Sequence, residues 1–203
     1  MRSSLLTHAA ALAIALAAPT ALAAVDVGHT APAFAVTDAD GKPVSLAALH
    51  GKPVVLEWTN NGCPYVGHMY ASGVMQTLQR QAAAEGVVWL AVISSAPGKQ
   101  GYLTVAGVKD WRAKVGAAPA AVVLDPSGQL GQAYGAKTTP DMFVIDRSGK
   151  LVYAGAIDDN PSTDPADAKR ARNYVALALA DLKDGKPIDP ALTVSYGCSV
   201  KYR

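Results

Sequence analysis

One stretch, residues 53–70, limits what this chain can fold into more than any other: Pro-Val-Val-Leu-Glu-Trp-Thr-Asn-Asn-Gly-Cys-Pro-Tyr-Val-Gly-His-Met-Tyr. Val54, Val55, Leu56 and Trp58 form a β-branched and aromatic apolar run, the pattern of a buried strand. Thr59-Asn60-Asn61-Gly62 breaks that run with residues that accept turn geometry. Pro64 suits the first turn of a helix, where its missing N–H costs nothing. Residues 64–84, rich in Ala, Gln, Leu and Met, are expected to be that helix. A single cysteine, Cys63, thus stands where strand and loop give way to a helix N-terminus. Free amide N–H groups and the helix dipole favour negative charge there, so its thiol is expected to ionise readily and to act as a nucleophile.

The rest of the chain frames that cysteine. Of 203 residues, half are hydrophobic and 17% charged, which is enough for a real core but too little chain for two full domains. A net charge of +2 with no dense Lys/Arg cluster argues against a nucleic-acid partner. Residues 1–23 read as a signal peptide: Arg2, an apolar run, then Ala21-Leu22-Ala23 as a small-x-small cleavage site. Pro19 interrupts the run, which is shorter than the ~20 residues a membrane span needs. The mature chain is therefore expected to be periplasmic or secreted, with no membrane span. In such an oxidising compartment Cys63 and Cys198 can simply form a static disulfide. Closing so long a loop is worth about 4–5 kcal/mol at best.

In chain order, residues 34–36 and 44–46 flank a turn-rich segment and read as a hairpin. Residues 87–93 form a continuous apolar run, as in an inner strand covered on both faces. Residues 102–115 carry a weaker helical pattern, residues 121–124 a buried strand and residues 130–134 a short helix. Residues 142–146 and 151–154 read as an antiparallel hairpin. Residues 164–183 are expected to be one amphipathic helix, capped by Thr163 or Asp164 and closed by Gly185. In the tail, Val194, Tyr196, Cys198, Val200 and Tyr202 occupy alternate positions, which predicts an extended segment with Cys198 facing inward. The fold class is α/β: a central mixed β-sheet flanked by helices, with an N-terminal hairpin and a C-terminal extension.

Three of these features resemble the thioredoxin-like superfamily, in its alkyl hydroperoxide reductase/thiol-specific antioxidant (peroxiredoxin-like) branch. They are the strand–turn–Cys63-Pro64–helix unit, Thr139-Pro140 before an apolar strand, and Phe143-Val144-Ile145-Asp146 followed by Gly149. The resemblance covers residues 27–182 and leaves residues 183–203 as an extension carrying Cys198. It implies an exported thiol-dependent oxidoreductase with Cys63 as nucleophile, Cys198 as resolving partner and a cis Thr139-Pro140 bond. The substrate is then a peroxide, giving a sulfenic acid, or a protein disulfide, giving a mixed disulfide. No cofactor is implied, and the reductant is an exported thiol. The chain also departs from the pattern. Val66 replaces the second cysteine of a Cys-x-x-Cys pair, and Asn60 and Leu56 stand where a peroxidatic motif has Thr/Ser and Pro.

Around the sulfur, Thr59, Asn60, Asn61, Gly62, Pro64, Thr139 and Pro140 are the candidate substrate-contacting residues. His68 is expected at the surface or lining the site, and Asp158 and Asp159 in a solvated loop. Trp58, Met69 and Met75 are expected in the core. Two readings of other classes stay open. Cys63, His68 and Cys198 could hold Cu(I) in a thiolate/imidazole site, or the fold is a binding module stapled by its disulfide.

Overall fold

The computed structural model describes residues 26–203, so the signal-peptide expectation for residues 1–23 lies outside the described residues. Strands β1 (Ala35–Thr37) and β2 (Pro43–Ser45) form the expected hairpin. Then follow β3 (Val54–Trp58), α1 (Pro64–Ala71), α2 (Val74–Ala84), β4 (Val88–Ile93), α3 (Val105–Val115), β5 (Ala121–Leu124) and α4 (Gln129–Ala133). The chain continues through β6 (Thr138–Thr139), β7 (Asp141–Ile145), β8 (Leu151–Gly155), α5 (Pro165–Ala168), α6 (Tyr174–Asp184) and β9 (Cys198–Ser199). Five strands make the main sheet in the order β5-β4-β3-β7-β8. β3, β4 and β5 run parallel, while β7 and β8 are antiparallel to their neighbours.

β3 lies in the middle because every one of its residues is buried. Its side chains alternate between two cores. Val55 joins Met69, Met75, Trp89, Trp111 and Leu179 under the helices on one face. Val54, Leu56 and Trp58 join Leu90, Leu130, Tyr134 and Phe143 on the other. Trp58 is edge-on to Phe143 with ring centroids 5.1 Å apart, and Tyr134 packs against both rings. Full burial of side chains of this size contributes roughly 1.5–3 kcal/mol each. Trp58, Met69 and Met75 are core residues, as expected.

Two expected helices are each broken in two. The helix over residues 64–84 ends at Ser72, because Gly73 turns into the left-handed region at φ +81° and restarts the chain as α2. The helix over residues 164–183 has Asp164 capping only α5, through the Ala166 N–H at 2.9 Å. The chain then bends so that Tyr174 N–H reaches the Ile157 carbonyl, and Asn173 caps α6 through the Ala176 N–H at 2.8 Å. Tyr196, Cys198, Val200 and Tyr202 pack inward as expected, but Ser195 and Lys201 between them are half-buried as well, and Val194 is 91% exposed. Thr193 turns in instead, its hydroxyl accepting the Ala156 N–H. No helix among the described residues is long and apolar enough to cross a membrane.

Candidate active site

The loop after β3 is held by backbone and amide hydrogen bonds that leave its cysteine little freedom. Thr59 N–H donates to the Val92 carbonyl, extending the register of β3 against β4 by one residue. The Asn60 carbonyl accepts Cys63 N–H at 3.0 Å, and its side-chain Oδ1 accepts Gly62 N–H at 2.8 Å. Asn60 Nδ2 donates to the Gln100 carbonyl, and Gln100 Nε2 donates to the Gly62 carbonyl at 2.7 Å, fixing the turn to the loop after β4. Cys63 is the N-cap of α1 with Pro64 at its first position, as the sequence pattern requires. Its sulfur thus faces the free amides of the first turn, where negative charge is favoured.

Two further elements meet that sulfur. The Thr139-Pro140 bond is cis, as expected, and the Cys63 thiol donates to the Thr139 carbonyl at 3.1 Å. On the outer side of β6 lies β9, antiparallel, with Cys198 opposite Thr139 and Ser199 opposite Thr138. The Cys198 thiol reaches the Cys63 sulfur as a hydrogen-bond donor. Both cysteines are free thiols, and Cys63 is only 2% exposed.

These surroundings split the two thiols in opposite directions. Burial works to raise the Cys63 thiol, but donors on the Cys198 and Thr139 side chains and on the Val66 and Cys198 backbone outweigh it. Cys63 is therefore held below its ordinary value of 9.0. Cys198 is pushed up to about 11, first by burial, then by giving its proton to Cys63 and lying against its charge. Of the two thiols, Cys63 is therefore the one that ionises more readily, and Cys198 holds its proton more tightly.

The other expected site residues separate into rim and support. Asn61, Gly62 and Pro64 are exposed beside the sulfur. Thr59, Asn60, Thr139 and Pro140 are buried, and Asn60 spends its amide on the loop itself. His68, expected at the surface or lining the site, is instead 3% exposed on the buried side of α1. Asp158, expected in a solvated loop, is 1% exposed because it accepts hydrogen bonds from the Tyr196 hydroxyl and Asn160 N–H; Asp159 is exposed. Among the described residues no three His, Cys, Asp or Glu side chains stand close enough to share an ion, so Cys63, His68 and Cys198 are not gathered into a metal site.

Sequence reasoning passed over two buried carboxylates near this region. Glu57 is fully buried in β3 and accepts from Trp89 Nε1 at 2.8 Å, Gln79 Nε2 at 3.0 Å and the Tyr70 hydroxyl at 3.0 Å. Burial raises its carboxyl, with those donors opposing. An acidic residue inside an apolar strand was the signal that could have found it. Asp141, directly after Pro140, is pushed up to about 6 by burial.

A family model described as Redoxin matches residues 26–171. The chain belongs to the Redoxin family. Among curated relatives, the thiol-disulfide oxidoreductase ResA of Geobacillus thermodenitrificans is 31% identical over 135 residues, covering 63% of this chain and 68% of that protein. ResA of Bacillus anthracis is 27% identical over the same shares. A solved structure of an uncharacterized conserved protein from Geobacillus kaustophilus has 27% identity and a TM-score of 0.76, covering 89% of this chain and 94% of that one. A putative thiol:disulfide interchange protein DsbE from Chlorobium tepidum has 30% identity and a TM-score of 0.51, over 64% and 85%. The thioredoxin-like resemblance and the mixed-sheet fold are thereby borne out, and this Redoxin chain is an oxidoreductase.

Proposed function

We propose that the protein is a thiol–disulfide oxidoreductase whose redox couple is Cys63 with Cys198. The observation that carries this reading is the β6–β9 pairing, which lays Cys198 against Cys63 while Val66 occupies the usual second-cysteine position. The Cys63 thiolate attacks one sulfur of a substrate disulfide, forming a Cys63–substrate bond and releasing the other sulfur as a thiolate. That leaving thiolate takes the proton held by Cys198. Cys198 then attacks the Cys63 sulfur, forming the Cys63–Cys198 bond and releasing the second substrate thiolate. The protein loses two electrons and the substrate gains them. Two equivalents of an external thiol restore the dithiol and leave joined as their own disulfide.

A hydroperoxide is the second oxidant to consider, favoured by the near-complete burial of Cys63, which suits a small reactant. There the thiolate takes the distal oxygen as a sulfenic acid, an alcohol or water leaves, and Cys198 then displaces the sulfenic oxygen as water. Against it, the groups that hold the Cys63 thiol down are the Cys198 and Thr139 side chains and the Val66 and Cys198 backbone, rather than an arginine. Asn61, Gly62 and Pro64 form the substrate-facing rim in either case. In this reading residues 27–182 are the catalytic domain, residues 183–203 an extension that brings the partner cysteine, and residues 1–23 a leader directing export to a periplasmic or secreted location.

Mass spectrometry of the reduced protein after one equivalent of glutathione disulfide tests this. Wild type should end as a Cys63–Cys198 disulfide, and Cys198→Ser should stop as a glutathione adduct on Cys63. Adducts formed equally in Cys63→Ser would remove Cys63 from the role. The same variants treated with hydrogen peroxide separate the two oxidants, because sulfenic acid accumulates at Cys63 of Cys198→Ser only if peroxide is a substrate.

A further inference from the structure

We propose that residues 191–203 form a strap that filters the oxidants reaching Cys63 by size, admitting small molecules while seated and chain-bearing disulfides only when lifted. This deepens the reading above and rests on Cys63 being the nucleophile. The strap is pinned on both sides of Cys198. Before it, Thr193 N–H donates to the Ala154 carbonyl, the Thr193 hydroxyl accepts Ala156 N–H, and Tyr196 bonds Asp158 and lies edge-on to Tyr65. After it, Val200 N–H donates to the Lys137 carbonyl, the Lys201 carbonyl accepts Ala96 N–H, and the Tyr202 hydroxyl donates to the Ala136 carbonyl. The strap lies so close to β6 that a Cβ on Gly197 would stand 2.1 Å from the Thr139 carbonyl oxygen, at a φ of +130°.

The consequence follows from what attack on a disulfide requires. The attacking and leaving sulfurs must line up, so the chain carrying a protein disulfide has to lie beside Cys63. The free edge of β6 is where an extended chain would find main-chain partners there, and β9 already occupies it. A low-molecular-weight oxidant brings no flanking chain and needs no edge. With β9 paired along β6, the seated strap competes with the flanking chain of a protein substrate, which a small disulfide does not have. Its reach across three separate loops keeps the open form scarce, and a substrate that needs that form reacts in proportion to its population.

The test uses one leaving group on two carriers: a thiopyridyl disulfide attached to glutathione or to a small folded protein, with thiopyridone release followed after mixing with the reduced full chain. In Gly197→Ala the added Cβ prevents β9 from seating, and in Tyr202→Ala an anchor is deleted without adding an atom, so one variant serves if the other folds poorly. The protein carrier should react at least about tenfold faster with a variant than with wild type, the equivalent of losing one or two hydrogen bonds. The glutathione carrier should gain less than threefold. Equal acceleration of both carriers, or no acceleration of the protein carrier in either variant, overturns the filter. Undiminished reaction of Cys63→Ser with the glutathione carrier overturns the underlying assignment instead.

Discussion

Replacing Asp141 by Asn should change the pH dependence of stability by an amount the structure sets. Asp141 opens β7 directly after the cis proline and is 4% exposed. Its carboxylate accepts Lys137 N–H at 2.9 Å, with further hydrogen bonds from Thr138 N–H and the Ser195 hydroxyl. Burial outweighs these donors and lifts the carboxyl from 3.8 to about 6. The folded chain therefore holds this proton more tightly than the unfolded one. Its contribution to stability is fully present below pH 3.8 and is lost as the pH rises through about 6. At about 1.4 kcal/mol per pH unit, the interval amounts to roughly 3 kcal/mol, of which roughly 2–3 falls between pH 4 and 8. Asparagine keeps an acceptor for Lys137 N–H and has no proton to lose. Urea unfolding of both proteins from pH 4 to 8 should show wild type losing that amount relative to Asp141→Asn, nearly all of it before pH 7. Stability curves that stay parallel across the range would refute the reasoning.

Three other perturbations have defined outcomes. Glu57→Ala strands the Trp89, Gln79 and Tyr70 donors in a dry core and should cost on the order of 3 kcal/mol or more in urea unfolding, with Glu57→Gln costing clearly less. Tyr196→Phe leaves the buried Asp158 with Asn160 N–H as its only donor, so it should lower stability by about 1–2 kcal/mol in thermal melts, and by more at pH 8 than at pH 5. In Gly131→Ala the new Cβ would meet the Tyr202 hydroxyl at 2.3 Å and its ring at 2.7 Å, so the strap end should detach and alkylation of Cys198 should speed up several-fold. Unchanged alkylation would mean that the Tyr202 ring does not hold the strap.

Local pattern was enough for some elements and not for others, and the reason differs each time. β3, the turn and the start of α1 were legible because a strand run, turn formers and Cys63-Pro64 succeed one another within a dozen residues, each governed by near neighbours. The two helix breaks escaped because composition favours helix on either side. One break depends on the φ of a single glycine, the other on Ile157 and Asp158, which meet Tyr174 and Asn173 only after the chain has returned. Burial of His68 and Asp158 was missed for the same reason, since a tail tyrosine covers one of them. The inward face of the tail was legible where it crosses β6, because strand pairing imposes a period of two. It failed at Val194, where a threonine hydroxyl had partners to satisfy and a valine had none.

The opposed shifts of the two thiols also order the proposed chemistry in time. Cys198 is raised to about 11 by burial first, then by donating to Cys63 and lying against its charge, with Lys201 pulling the other way. The first chemical step removes two of those causes at once. A Cys63 sulfur bonded to substrate carries no charge and needs no proton from its neighbour, leaving only burial against the Lys201 ammonium. Cys198 is thus restrained while it must support the nucleophile and released when it must become one, and no third residue has to sense the change. The same logic fixes what Cys63→Ser should do. Without the neighbouring thiolate, Cys198 should titrate below about 11 when its ionisation is followed by thiolate absorbance. A value unchanged by the substitution would mean that burial alone sets it, and the first attack would then do nothing to release Cys198 for the second.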